Sequence, residues 1–353
     1  MTFPDIAVLR MRYLRGPNVW TYRPVIEAWV DLGILEDHPS NTLPGFVDRL
    51  TTWLPGMIEH RCGVGEHGGF FERLKDGTWC GHIMEHVAIE LQTLAGMQVG
   101  FGKARETSKR GVYKVVIRTR QEEVGRASFM AARDLVMAAI NDTPFDLKGT
   151  VNRLKAMVDR LCLGPSTACI VDAATEHKIP SIRLTSGNLV QLGYGSKQRR
   201  IWTAETDRTS AIAESISSDK DLTKMLLTQC GVPIPTGEIV NSPEHAWEVA
   251  QDLGLPVAVK PTDANHGRGV ALDLRLREDI EAAFVVAQRE GTDVMVERFI
   301  PGEEHRLLVV GNRVVAACKG ETAKITGDGV HTVAELIELQ INSDPRRGEE
   351  EDF

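Results

Sequence analysis

The sequence predicts an α+β protein built of two unlike parts, and three observations carry that prediction. From Ser218 onward, short apolar runs bounded by turn residues alternate with capped helical segments, the texture of a layered α/β or α+β domain. Residues 1 to about 160 are instead rich in Trp, His and Gly and close on two helical patterns. The chain of 353 residues is also long for one core, at about 150 residues per domain. The expected divisions are 1–161, a Gly- and Ser-punctuated segment 162–217, and 218–353.

Taken in order, the first clear element is WCGHIMEHVAIELQTLAG, an amphipathic helix. Winding it at about 100° per residue puts Ile83, Met84, Val87, Ala88, Leu91 and Leu94 on one side, with His82, Glu85, His86 and Glu90 on the other. The two closing helical patterns run near Ser128–Asn141 and from about Thr150 to Leu161. CIVDAATEHKIP reads as a strand running into a helix. Ser218 or Asp219 caps a helix over DKDLTKMLLTQC that Gly231 ends, and Ser242 with Pro243 opens PEHAWEVAQDL, which Gly254 ends. PVAVK, DVMVERFI, HRLLVV and RVVAACK read as strands, with Gly311-Asn312 as a two-residue hairpin turn between the last two. RRGEEEDF is a charge run after a helix, and it does not read as the edge of a finished domain.

Composition narrows the function classes. The chain is 42% hydrophobic and 25% charged, which excludes a disordered chain, a collagen and a disulfide-stapled miniprotein. A net charge of -8 supplies no global field for nucleic acid or anionic membrane. Lys103 to Arg120 nevertheless carries seven Lys/Arg against Glu106 alone, either a solvated strand-and-turn face or a local attraction for a polyanion. There is no apolar run long enough to span a membrane, and the N-terminus is too charged for a signal peptide. The six cysteines form no CxxC and read as reduced thiols, so the expected compartment is cytoplasmic.

Two clusters carry chemistry in the second half. Lys220 lies one turn into a helix, and Lys260 ends PVAVK just before PTDANHGRGV. Gly267 and Gly269 let that loop approach a polyanion closely, while His266 and Arg268 add donors; an ordinary β-turn is the competing reading. In VMVERFIPGEEHR, Glu297 at a strand end and the backbone near Ile300 suit an adenine edge, and Glu304 suits ribose hydroxyls. Arg306 presents a planar fork for a carboxylate or a phosphorylated intermediate. The competing reading is a surface ion-pair network.

The order Lys220, Lys260, HGRGV, VERFI, GEEHR resembles the ATP-grasp fold. LGPST, LVQLGYGSKQRRIW, DKDLTKMLL, KPTDANHGRGV and NSDPRRG, with WCGHIMEHVAIELQ near the N-terminus, resemble the cyanophycin synthetase family across essentially the whole chain. The fold implied is an N-terminal α+β domain followed by an incomplete ATP-grasp domain. The resemblance implies ATP- and primer-dependent ligation: phosphorylation of the C-terminal carboxylate of a polyaspartate backbone, then attack by the amine of L-aspartate. ATP, Mg2+, L-aspartate and a cyanophycin primer are the implied cofactors and partners, with assembly as a homo-oligomer. It implies phosphate contacts for Lys220 and Lys260, a lid at His266–Gly269, adenine at Glu297 and Ile300, ribose at Glu304, and the acceptor carboxylate at Arg306. Ser166 and Glu214 are candidate polymer contacts, against a helix cap and a solvated helix residue. Nothing resembles the Mur-ligase-like domain that adds arginine, and the chain ends at Phe353 before the acidic and Asn magnesium ligands. The expectation is therefore a fragment that binds ATP with an incomplete metal site, or a non-catalytic binding module.

His82-x-x-Glu85-His86 is also the inverted zincin pattern, two imidazoles for zinc and a carboxylate to activate water. The alternative is the solvated polar side of a packed helix. His60, Glu66 and His67 are the available third ligands. A zinc-dependent hydrolase here would cleave the polymer and create new chain ends.

Overall fold

The computed structural model describes residues 2–62, 65–264, 267–320 and 323–344. It divides into two compact units, Met1–Asp207 and Arg208–Phe353. No helix among the described residues is long and apolar enough to cross a membrane.

The first unit is built on an antiparallel sheet of β1 (Ala7–Leu14), β2 (Val25–Asp31), β3 (Gly102–Glu106) and β4 (Val112–Arg118), in the order β1-β2-β4-β3. The period of two sorts its faces. Ile26, Ala28 and Val30 of β2 join Val115 and Ile117 of β4 in the core. Arg10, Arg12 and Lys114 instead pack over the ring of Trp29. On the core side lie α1 (Phe46–Trp53), α2 (Gly69–Asp76), α3 (Cys80–Leu94), α4 (Glu122–Asn141) and α5 (Leu147–Leu161).

Two expectations change here, and one alternative reading is removed. The polar side of α3 is not solvated: Glu85, His86, Glu90 and Gln92 are all buried, so its polar groups meet protein rather than water. The helix expected at Ser128 starts at Glu122, because the Gln121 side chain caps it by accepting from Val124 N–H. CIV is no strand but the middle of α6 (Pro165–Glu176), where Pro165 sits in the first turn after Gly164. Proline there is pre-set for a helix, and a short apolar run cannot signal strand against it. A meander of β5 (Ser181–Arg183), β6 (Leu189–Leu192), β7 (Arg199–Trp202) and β8 (Glu205–Thr206) completes the unit.

The second unit opens with α7 (Ala211–Ser218) and α8 (Lys220–Gln229), the latter capped by Asp219, whose carboxylate accepts from Leu222 N–H. β9 (Gly237–Val240), α9 (Pro243–Leu253), β10 (Val257–Pro261), β11 (Ala271–Leu274), α10 (Arg277–Glu290) and β12 (Val294–Arg298) follow. The sheet order is β11-β10-β12-β9, all antiparallel. Val257, Val259, Val294 and Val296 pack with Ala246, Ala250, Ile280 and Phe284 of the two helices. By alternation, Lys260, Met295 and Glu297 leave the other face. β13 (Glu304–Val310) and β14 (Arg313–Gly320) form the expected hairpin, with Val310 opposite Arg313, and both strands are exposed throughout. α11 (Val333–Ile337) begins with a Thr332–Glu335 capping box. The RRGEEEDF run lies outside the described residues.

Candidate functional site

In the second unit the sheet face opposite the helices gathers one carboxylate and two ammonium groups. Lys260 is the last but one residue of β10 and Glu297 of β12; their strands pair so that Lys260 lies opposite Met295 and Glu297 opposite Ala258. That diagonal lets Lys260 Nζ donate to Glu297 Oε1. Lys224 of α8 donates to Glu297 Oε2 at 2.8 Å. Burial alone would push the Glu297 carboxyl up, but the hydrogen bonds from Lys224 and Lys260 outweigh it and hold the group below its ordinary range. β9 fits closely over this point: a Cβ at Gly237 would lie 2.5 Å from that of Glu297, so no larger residue fits there without movement.

Lys224 was not among the expected site residues. Lys220 reaches the carbonyl of Ala264 at 2.6 Å instead, tethering the start of the glycine loop. The signal for Lys224 was present, since it lies one helical turn beyond Lys220 and shares its face. In the loop, Gly267 and Gly269 take φ of 71° and 68°, conformations that a side chain would oppose; His266 lies outside the described residues. Ile300 is exposed, and Glu304 and Arg306 lie on the exposed β13 hairpin, 3.7 Å apart. Among the described residues no hydrogen bond or ion pair joins Arg306 to the Lys224–Glu297–Lys260 group. Ser166 is exposed in the first turn of α6, where Gly164 and not Ser166 holds the cap position. Glu214 is exposed on α7 and accepts from the Ser218 hydroxyl at 3.3 Å.

The first unit holds a second cluster. His82 Nε2 and His86 Nε2 are 3.1 Å apart, and Cys62 Sγ is 3.3 Å from His82 Nε2. Ligand atoms of these three residues all lie within 4.8 Å of one another. His86 Nδ1 faces His60 Nδ1 at 2.9 Å, and His60 Nε2 faces Glu90 Oε2 at 3.1 Å. His82 Nδ1 faces the Thr78 hydroxyl at 2.9 Å. Hydrogen-bond logic assigns the tautomers. An ionised Glu90 accepts from His60 Nε2–H, so His60 Nδ1 accepts from His86 Nδ1–H, and His86 Nε2 is left with a lone pair. His82 Nε2–H donates to that lone pair, while its Nδ1 accepts from Thr78. Neutral imidazoles suffice throughout. Burial pushes His82 down to about 4 and His86 to about 2, the latter helped by repulsion from His82 and His60.

This donor set fits a zinc ion: Nε2 of His86 already offers a lone pair, Nε2 of His82 would offer one once its proton sits on Nδ1 and is donated to the Thr78 hydroxyl, and the Cys62 sulfur as thiolate would be the third donor, with His60 orienting His86 from behind. Cys62 was missed in the sequence, although it stands two residues after His60. Glu66 is exposed, and His67 pairs with Glu59 at 3.1 Å at the surface. Glu85 lies against β3, where a Cβ at Gly102 would fall 2.6 Å from its Oε1. No hydrogen-bond partner of its carboxyl is present among the described residues, and burial pushes the group up to about 8.

The second unit is therefore an ATP-grasp-like α+β domain, and residues 219–320 match the model of the carbamoyl-phosphate synthase L chain ATP binding domain. Residues 27–141 match the cyanophycin synthase-like N-terminal domain. The chain is homologous to the cyanophycin synthetases over 98% of its length, at 42% identity to that of Nostoc sp. (strain PCC 7120 / SAG 25.82 / UTEX 2576) and 41% to that of Trichormus variabilis. It spans 39% of the length of each of these relatives. Over 148 residues, 41% of this chain and 19% of the relative, it is 32% identical to the glutathione biosynthesis bifunctional protein GshAB of Listeria innocua.

Proposed function

We propose that this chain is an ATP-dependent amide ligase of cyanophycin synthesis, adding L-aspartate to the C-terminus of a polyaspartate backbone through an acyl phosphate. The observation that carries the reading is the Lys224–Glu297–Lys260 group on the sheet face opposite the helices, in a domain that matches the carbamoyl-phosphate synthase L chain ATP binding domain. Glu297 is compensated twice. A triphosphate can draw Lys260 away, and Lys224 then keeps the buried carboxylate ionised, so that Oε1 is free to accept from the adenine amino group. Lys220 and the Gly267–Gly269 loop close over the phosphates, with Mg2+ supplying charge neutralisation when bound. Ile300 and Glu304 take the remaining nucleotide contacts, Arg306 orients the acceptor carboxylate, and Ser166 and Glu214 contact polymer. The partners are a cyanophycin primer, L-aspartate and ATP, in a homo-oligomer of the cytoplasm. The test is ATP-dependent incorporation of labelled L-aspartate into primer, together with an ATP-induced rise in Tm. A Tm rise of the same size in Lys260→Ala would overturn the assignment.

A second reading is favoured by the convergence of Cys62, His82 and His86. In it the first unit holds zinc and cleaves the polymer backbone, making new chain ends, with Glu85 moving from its place against Gly102 to act as base. Cleavage of cyanophycin by wild type and its loss in Glu85→Gln test this reading, and cleavage retained in that variant overturns it.

A further inference from the structure

The basic stretch Lys103–Arg120 has a use that neither reading above absorbs. Most of its cations are occupied: Lys103 lies over Phe101, Lys114 over Trp29 and Trp20, Lys109 pairs with Asp31 and Arg110 with Asp37. Arg118 and Arg120 instead line a cavity of about 500 Å³ in the first unit, together with Arg23, Asp172 and Glu176. That volume is in the range of small-molecule sites.

The charges in this cavity do not close among themselves. Asp172 places one oxygen 3.2 Å from Arg23 and the other 2.8 Å from Arg120, so both of its oxygens are engaged. The Arg118 guanidinium has no hydrogen-bond or ion-pair partner among the described residues. Its half-buried position, with repulsion from Arg23 and Arg120, pushes it down to about 10, still cationic at neutral pH. Glu176 follows Asp172 by one helical turn on α6, is exposed, and likewise has no partner among the described residues. One unspent cation and one unspent anion therefore line the same cavity. An isolated phosphate would satisfy Arg118 but face two carboxylates. A molecule carrying both a carboxylate and an ammonium group satisfies both walls.

We propose that this cavity binds a free α-amino acid, its carboxylate on Arg118 and its ammonium group at Glu176. The site is separate from the nucleotide group of the second unit and does not depend on that assignment. The test is calorimetric titration of the full chain with glycine, L-alanine and L-aspartate, and in parallel with succinate and inorganic phosphate, without ATP. The amino acids bind to wild type; Arg118→Ala weakens them by about tenfold or more, the loss of one charge-assisted contact. Glu176→Gln, an exposed change that leaves the fold intact, weakens the amino acids at least about threefold and leaves succinate unchanged or tighter. Phosphate binding without amino-acid binding overturns the proposal, as does amino-acid binding of equal strength in wild type and Glu176→Gln. Titration of both variants is preceded by a Tm measurement, and if Arg118→Ala is unfolded, Glu176→Gln alone decides.

Discussion

Lys224 Nζ lies 2.8 Å from Glu297 Oε2, on the side of the carboxylate that Lys260 leaves open. One acid thus holds two ammonium groups from two different elements, α8 and β10. If the pair of lysines serves one nucleotide, their loss should differ in kind. Lys260→Ala should remove the ATP-induced Tm rise. Lys224→Ala should retain phosphate binding and lose base recognition, so that affinity for ATP falls about tenfold while that for inorganic triphosphate barely changes. Titration of both ligands against both variants checks this, and equal losses for ATP and triphosphate in Lys224→Ala would count against it.

The same carboxylate sets an acid limb. Its folded-state pKa lies below the unfolded value of 4.5, so its contribution to stability is full above that value. Stability is lost as pH falls from there through the lower folded-state value, because the folded state must then take up a proton that costs it two hydrogen bonds. Glu297→Gln should flatten this limb in a Tm-against-pH series. At neutral pH it should destabilise the chain by about 2 kcal/mol, since it leaves two part-buried lysines without their counter-charge. A variant as acid-sensitive as wild type would mean that other carboxylates set the limb.

Much of this unit was legible in the sequence, and the exceptions have physical causes. Asp219, Ser242, Pro243 and Gly311-Asn312 act locally, through a cap, a fixed φ or a tight turn, so the elements beside them were readable from neighbouring residues alone. The lysine of α8 that pairs with Glu297 was not. Lys220 and Lys224 both suit the face of α8, and only the tertiary position of β12 decides which one meets Glu297. The surroundings of the histidine helix were hidden for a related reason. Its polar side shows the period of a solvated surface, but His60, Cys62 and β3 cover it from distant parts of the chain. Cys62 carried no motif because its partners lie twenty or more residues away.

Glu85 should give the opposite pH slope. Its folded-state pKa, about 8, lies above the unfolded 4.5, so the folded state binds the extra proton. Its contribution is therefore present below pH 4.5 and is lost as pH rises through 8. In chelator-treated protein, Glu85→Gln should keep the stability of the protonated acid and decline less between pH 6 and 9 than wild type does. Parallel Tm-against-pH curves for the two proteins would show that the carboxyl ionises without penalty.

Zinc binding in the first unit should depend on residues that never touch the ion. Cys62, His82 and His86 would supply the donor atoms, but the orientation of His86 is set by His60, which is held in turn by Glu90. Cys62→Ser, by removing a thiolate, should reduce zinc in protein purified without a histidine tag to well below one ion per chain. Glu90→Gln leaves every ligand in place and reverses the donor logic behind them, because its amide can donate to His60 Nε2 and flip the proton order along His60 and His86. Affinity should then fall by about 10- to 100-fold, the range seen when partners behind a metal ligand are lost. Competition with a chromophoric chelator measures both variants. An unchanged zinc affinity in Glu90→Gln, with the protein folded, would leave His60 and Glu90 as packing partners only and detach them from the metal site.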